Sequence, residues 1–189
     1  IAQVLENPET RELFVPISVK DYHHLLETNY EDYVKTELIE GVIVKKMTKG
    51  PKHNFYSDIV AAFLSKLVPD GYFLRIEKPL TLSKSEPEPD ISVVEGDIYT
   101  YRNKNPTTAL LVVEIAATSL TADRQKIPVY ALANVQNYWI VNVEKKEVET
   151  YSDPKDGKYS IVGIYTKEND VPIFGKEIRL SEIFRDFDK

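Results

Sequence analysis

The residue with most to explain in this sequence is a carboxylate inside an apolar run. Glu114 follows Leu110, Leu111, Val112 and Val113 and precedes Ile115, Ala116 and Ala117, a stretch with the length and composition of a fully buried strand. An ionised side chain left unpaired there is costly, so either the strand end opens into a pocket or a cation compensates the charge. Both routes point to a site. Asp90 offers a second carboxylate under similar conditions, after Pro89 and at the head of a short apolar segment, Ile91 to Val94. Two convergent carboxylates form a site for a hard metal. Magnesium, with manganese as an alternative, takes oxygen ligands and keeps waters. Asp90, Glu114 and a nearby backbone carbonyl, that of Ile115, would leave positions for a substrate phosphate and an attacking water. Lys126 follows Glu114 by one short loop. Its ammonium can neutralise the acids, hold the phosphate and orient water. A second reading of the same residues is a buried acid–lysine pair that only ties a helix to a sheet.

The elements that must position these side chains follow from pattern. Ser18 caps a helix with Asp21 in its first turn and Val19, Tyr22, Leu25 and Leu26 at helical spacing. Leu38 to Met47 reads as a strand pair or bent strand with Gly41 at the turn or bulge. Phe55, Ile59, Phe63 and Leu67 repeat every four residues, widened by Val60 and Leu64, and predict a helix buried on that stripe. Tyr72 to Leu82, Asp90 to Val94 and Ala109 to Ala116 are predicted strands. A helix over roughly Asp123 to Asn134 must begin late or bend because Pro128 lacks the amide of an interior turn. Tyr138 to Val143 and Glu147 to Tyr151 form a hairpin, Tyr159 to Tyr165 adds a third antiparallel strand, and a short helix lies near Ser181 to Phe184. The order is mixed: α/β or α+β, with helices covering a central sheet.

Chain-wide quantities bound the partners. In 189 residues, 42% are hydrophobic and 29% charged, which suits an ordinary folded globule. One domain is expected over 18–189, preceded by an arm over 1–17 that carries two prolines. Thirty acidic against 24 basic residues give a net charge of -6, so any phosphate-binding surface must be local. The absence of cysteine excludes disulfides and thiolate chemistry in this chain and fits a reducing cytoplasm. No apolar run approaches a membrane span and no signal-peptide pattern opens the sequence, which begins at Ile1. Lys45, Lys46, Lys49 and Lys52 form the one sustained basic stretch, with no acid from Gly41 through Tyr56. It is either a backbone-binding strip or, more simply, solvated surface. His23 and His24 are adjacent on a helix and do not share a face, which argues against a zinc pair.

Taken in order, Glu37-Leu38-Ile39-Glu40-Gly41, Pro51-Lys52-His53, Glu88-Pro89-Asp90, Val112-Val113-Glu114-Ile115, the segment from Asp123 to Tyr130 containing Lys126, and Tyr138-Trp139-Ile140-Val141 resemble the PD-(D/E)XK nuclease superfamily. The similarity is to its Uma-type family of restriction-endonuclease-like domains of unknown function, and covers approximately Pro16 to Tyr151. The resemblance implies a restriction-endonuclease-like core, with a mixed central sheet flanked by helices and additional antiparallel strands. It implies a magnesium-dependent endonuclease acting on DNA, with Asp90 and Glu114 as metal ligands, Lys126 as the catalytic lysine, Glu37 as a further ligand or orienter of water, and His53 and Lys52 at the substrate; a cytoplasmic location is expected from the missing cysteines alone. His53 reads alternatively as a helix-start residue, and Glu37 as a solvated strand-edge charge. The superfamily's lysine usually stands two residues after the acid, a position held here by Ala116; Lys126 matches a lysine displaced onto the following helix. Ala117 and Thr118 replace the Ser-Pro common after the family's acid. A catalytically silent binding or assembly module and a hydrolase of small phosphorylated molecules are the rival readings. A homodimer is expected, since such nucleases often pair two sites.

Overall fold

The computed structural model describes residues 14–185. The arm predicted over 1–17 lies mostly outside them; its last residue, Ile17, donates its N–H to the Gly41 carbonyl at 3.0 Å. Helix α1 (Val19–Thr28) starts at Ser18, whose hydroxyl accepts from the Asp21 amide, as its capping sequence predicts. A single turn, α2 (Tyr30–Tyr33), leads into the hairpin of β1 (Thr36–Ile39) and β2 (Val42–Lys45). Glu40 and Gly41 form its two-residue turn with φ of 51° and 77°, the conformation of a tight hairpin. Glycine is required at the second position twice over: a Cβ there would stand 2.3 Å from Pro16 Cβ.

The hairpin does not join the main sheet. It is stitched instead to the segment 84–86, through Leu38 and Glu86 and through the Gly41 amide on the Lys84 carbonyl. That attachment carries Glu37 toward Glu88 and the end of the main sheet.

The main sheet has six strands in the order β3 (Tyr72–Ile76), β4 (Ile91–Glu95), β5 (Leu111–Ala116), β6 (Asn137–Asn142), β7 (Glu147–Lys155) and β8 (Lys158–Thr166). Only β5 and β6 are parallel, and α4 (Leu120–Gln125) and α5 (Ile127–Leu132) lie between them in sequence, as a parallel crossover requires. The two short helices are the bent helix that Pro128 predicts, broken at Lys126, although the first turn begins at Leu120, earlier than expected.

Alternation splits the strand residues between two cores. Val113, Ile115, Trp139 and Val141 face α3 (Pro51–Leu64), while Val112, Ala116, Tyr138 and Ile140 face α5. Each fully buried aliphatic side chain contributes roughly 1.5–3 kcal/mol, so both faces hold the sheet. The contact stripe of α3 differs from the one predicted. Tyr56, Ser57, Val60, Ala61 and Leu64 are buried, Ile59 and Phe63 are half-buried, and Phe55 is exposed. Small side chains at 57 and 61 lie on the buried stripe, while Phe63 packs only partly against this core and Phe55 points out of it. β3 stops at Ile76, short of Leu82, because its pairing with β4 ends at Ile76 opposite Ile91 and Glu77 turns away with φ 48°. The tail adds an unpredicted hairpin, β9 (Asp170–Ile173) and β10 (Lys176–Arg179), before a 3-10 turn at Leu180–Glu182. No helix among the described residues is long and apolar enough to cross a membrane.

Candidate active site

The pairing of β4 with β5 covers only Ile91 opposite Val113 to Val93 opposite Leu111. Beyond it the strands part, and the edge of β5 from Glu114 onward is free of β4. The Asp90 side chain fills that opening: its Oδ2 accepts the Ile115 amide at 2.7 Å, and its own amide points at Glu114 Oε2 at 3.4 Å. A splayed strand end thus replaces a missing ladder bond with a carboxylate and brings the two predicted acids side by side.

Lys126 stands at the joint between α4 and α5, which aims its side chain at the same point. Nζ lies 3.1 Å from Glu114 Oε1 and 3.0 Å from Glu37 Oε1. Glu37, delivered by the β1–β2 hairpin, also accepts the Glu88 amide at 3.2 Å. The structure therefore assembles Glu37, Asp90, Glu114 and Lys126 from four separate segments, on a cleft of about 490 Å³. His53, near the start of α3, does not face the cleft alone: Nε2 is 3.0 Å from Asp90 Oδ2, while Nδ1 is buried without a partner. Lys52 lines the cleft but is exposed and paired with Glu144 at 2.7 Å.

Three site residues are missed by the sequence reading. Lys49, grouped with surface lysines, sits 2.7 Å from Asp90 Oδ1 and 2.8 Å from Glu77 Oε1. Asp123, read only as a helix start, is buried and accepts from the Ser119 hydroxyl. Tyr130 donates its hydroxyl to Glu114 Oε1 at 3.0 Å. A lysine run without neighbouring acids was the available signal for Lys49; nothing local distinguishes Asp123 or Tyr130.

The electrostatics follow from crowding. Burial pushes the Glu114 carboxyl up to about 8, and Asp90, Asp123 and Glu37 reinforce it while Lys126 opposes. Burial likewise lifts Asp123 to about 6, against its bond from Ser119 and the charge of Lys126. Burial would raise Asp90 too, but His53 and Lys49 outweigh it and hold its carboxyl below the ordinary value. For Lys126 burial acts downward, and the carboxylates of Glu114, Glu37 and Asp123 overcome it, so its ammonium is retained. Four acids thus share two ammonium groups, and the deficit of positive charge falls on Glu114 first and on Asp123 after it.

The donor set suits a hard divalent cation. Asp90 and Glu114 present only oxygens; the Ile115 amide donates to Asp90 Oδ2 at 2.7 Å, and the Ile115 carbonyl accepts the Ala117 amide at 3.1 Å and keeps a second lone pair. Among the described residues, no three His, Asp or Glu side chains stand ready to hold a metal, so water would complete the shell, as magnesium prefers.

A mixed sheet whose central strands part around two acids and a lysine defines the restriction-endonuclease-like class. The crystal structure of a putative nuclease belonging to DUF820 from Anabaena variabilis has this fold: TM-score 0.73 at 20% identity, over 89% of this chain and 98% of that one. The Uma2 family model, described as "Putative restriction endonuclease", matches residues 19–182, and the chain belongs to that family. Comparison with curated proteins finds no match.

Proposed function

We propose that the protein is a metal-dependent endonuclease that hydrolyses DNA phosphodiester bonds. The observation that carries this reading is the Lys126 ammonium held 3.1 Å from Glu114 and 3.0 Å from Glu37, beside Asp90 at the parted end of β4 and β5. Asp90, Glu114 and the Ile115 carbonyl would hold the ion; magnesium, or manganese in its place, would supply charge stabilisation and a nucleophilic water. Lys126, whose ammonium is held at the site by Glu114 and Glu37, would orient the attacking water and meet charge on the scissile phosphate. Glu37 positions the lysine. His53 holds Asp90 in place through Oδ2, a role nearer to support than to phosphate contact. Lys45, Lys46 and Lys52 along the cleft take the flanking phosphates, which reconciles DNA binding with a net charge of -6.

Nicking of supercoiled plasmid in magnesium or manganese tests the reading. Activity is expected in the wild type and absent in Asp90→Ala, Glu114→Ala and Lys126→Ala; nicking that persists in any of the three removes that residue from the machinery. Ala116 in place of the usual lysine favours a second reading, a silent binding module. Metal-dependent cleavage lost in Lys126→Ala rules it out, whereas turnover of small phosphate esters without nicking favours the small-molecule reading. A homodimer forms part of the proposal, built on the exposed Ile161, Val162 and Ile164 of the edge strand β8; sedimentation checks it.

A further inference from the structure

Asp90 has one oxygen to spare. Oδ2 already accepts the Ile115 amide at 2.7 Å and faces His53 Nε2 at 3.0 Å. Oδ1 faces the Lys49 ammonium at 2.7 Å. The oxygen left to a divalent ion arriving at Asp90 is therefore the one on which Lys49 sits, and a dication there would face the ammonium across a single carboxylate oxygen, where like charges repel strongly.

The two site lysines are held differently. Lys126 is enclosed, with its side chain 11% exposed and its charge shared by buried Glu114 and Glu37. Lys49 comes from the loop between β2 and α3, its side chain 30% exposed, and its second partner is Glu77, 47% exposed and 2.8 Å away. Glu77 is fixed close by, since its backbone amide donates to the Asp90 carbonyl at 3.0 Å. An ammonium leaving Asp90 thus keeps one carboxylate and never becomes an unpaired buried charge. Gly50, next in the loop, has nothing within 4 Å of where a Cβ would stand, so the space beside this part of the loop is open.

We infer that Lys49 is a displaceable internal counter-ion: it occupies the metal-binding oxygen of Asp90 until a divalent cation drives it onto Glu77. The inference rests on the metal site proposed above and adds a competitor to it. The exchange sets a threshold for metal binding, and it keeps the apo site from carrying a further uncompensated carboxylate. Displaced, the ammonium remains at the cleft, where it can meet a phosphate.

Calorimetric titration of the full chain with manganese chloride tests this directly. Lys49→Met is expected to bind the ion at least about fivefold more tightly than wild type, the lower end of an ordinary coupling between ligands. Lys49→Arg, which keeps the charge, should bind no more tightly than wild type. Lys45→Met removes a charge from the same cleft without removing a contact to Asp90, and should change the affinity less than about twofold. Asp90→Asn should abolish binding in every background. Equal or weaker binding by Lys49→Met, with Asp90→Asn still unable to bind, overturns the counter-ion and leaves the metal site intact. Equal tightening in Lys45→Met also overturns it, because general electrostatics would then account for the gain. If no variant binds manganese, the metal site itself fails and the inference with it.

Discussion

Glu114 and Glu149 flank Ile140 in one row across the central sheet, Glu114 opposite it on β5 and Glu149 opposite it on β7. They share a face, are 4% and 3% exposed, and each accepts a tyrosine hydroxyl, from Tyr130 and Tyr151 respectively. Each also has a cation from the same short segment, Lys126 for Glu114 and Arg124 for Glu149. Yet their carboxyls shift in opposite directions. Burial acts upward on both. At Glu149 the bonds from Arg124 and Tyr151 prevail and the carboxyl stays below its ordinary value; at Glu114 burial wins and Asp90, Asp123 and Glu37 add to it. Arg124 serves one acid through two nitrogens, whereas Lys126 divides its charge. A buried acid alone therefore does not mark a site; a buried acid in company, short of counter-charge, does.

The largest expected difference is in catalysis. Glu114→Gln should lower metal-dependent plasmid nicking by about 100-fold or more, the scale of losing a metal ligand, while Glu149→Gln should leave it within about threefold. Comparable losses from both would erase the distinction between site and scaffold. Stability should order the same pair the other way. Glu149→Gln leaves a charged partner with a poorer acceptor and should cost about 1–3 kcal/mol in urea unfolding at neutral pH. Glu114→Gln removes a surplus buried charge and should be neutral or stabilising above pH 8, since such charges are often held at a loss.

The pH dependence sharpens the comparison further. Glu114 holds its proton up to about pH 8 in the folded chain, whereas an ordinary glutamate in the unfolded chain holds it only to about 4.5, so the folded state binds more protons between those limits. Stability should accordingly fall as pH rises from 4.5 to 8, with Asp123, raised to about 6, contributing in the same sense. Glu149 and Asp90, both lowered, act oppositely: their stabilisation is present above their unfolded values and lost on acidification through the folded ones. Urea titrations at about pH 5, 7 and 9 should show a decline that Glu114→Gln reduces and Glu149→Gln does not. Because the metal needs the deprotonated carboxyl, manganese affinity should climb through about pH 8; a flat profile would mean that Glu114 is not a ligand.

These contrasts also explain what the sequence could reveal. Glu114 is legible because an ionised residue contradicts its apolar neighbours, and Asp90 because Pro89 sets it at a strand head. The strands β5 to β8 are legible because their periodicity and turns agree. Glu149 is not, since Glu147-Val148-Glu149 reads as ordinary alternation and its burial depends on Arg124 arriving from another element. Lys49 and Asp123 escape for the same reason: their partners, Asp90 and Ser119 among them, are set by the parting of β4 from β5 and by the early start of α4. The buried stripe of α3 departs from its apolar spacing because spacing reports a helix but not which of its side chains the sheet covers.

The smallest expected effect concerns the two tyrosines. Tyr130 is fully buried and packs its ring 4.8 Å from that of Tyr138, so Tyr130→Phe preserves the shape and removes only the hydroxyl on Glu114. Glu114 then has Lys126 alone among its side-chain donors, and Lys126 is shared. Unfolding free energy should drop by about 1 kcal/mol. The pH at which manganese affinity rises should move upward by about half a unit, because the charged form has lost a donor. Tyr151→Phe deletes the matching bond to Glu149, 2.8 Å long, but leaves both nitrogens of Arg124 in place. Its cost should be the smaller of the two and the manganese profile unmoved. A larger cost for Tyr151→Phe would show that the arginine does not saturate Glu149, and that the two glutamates differ less in their compensation than their geometry implies.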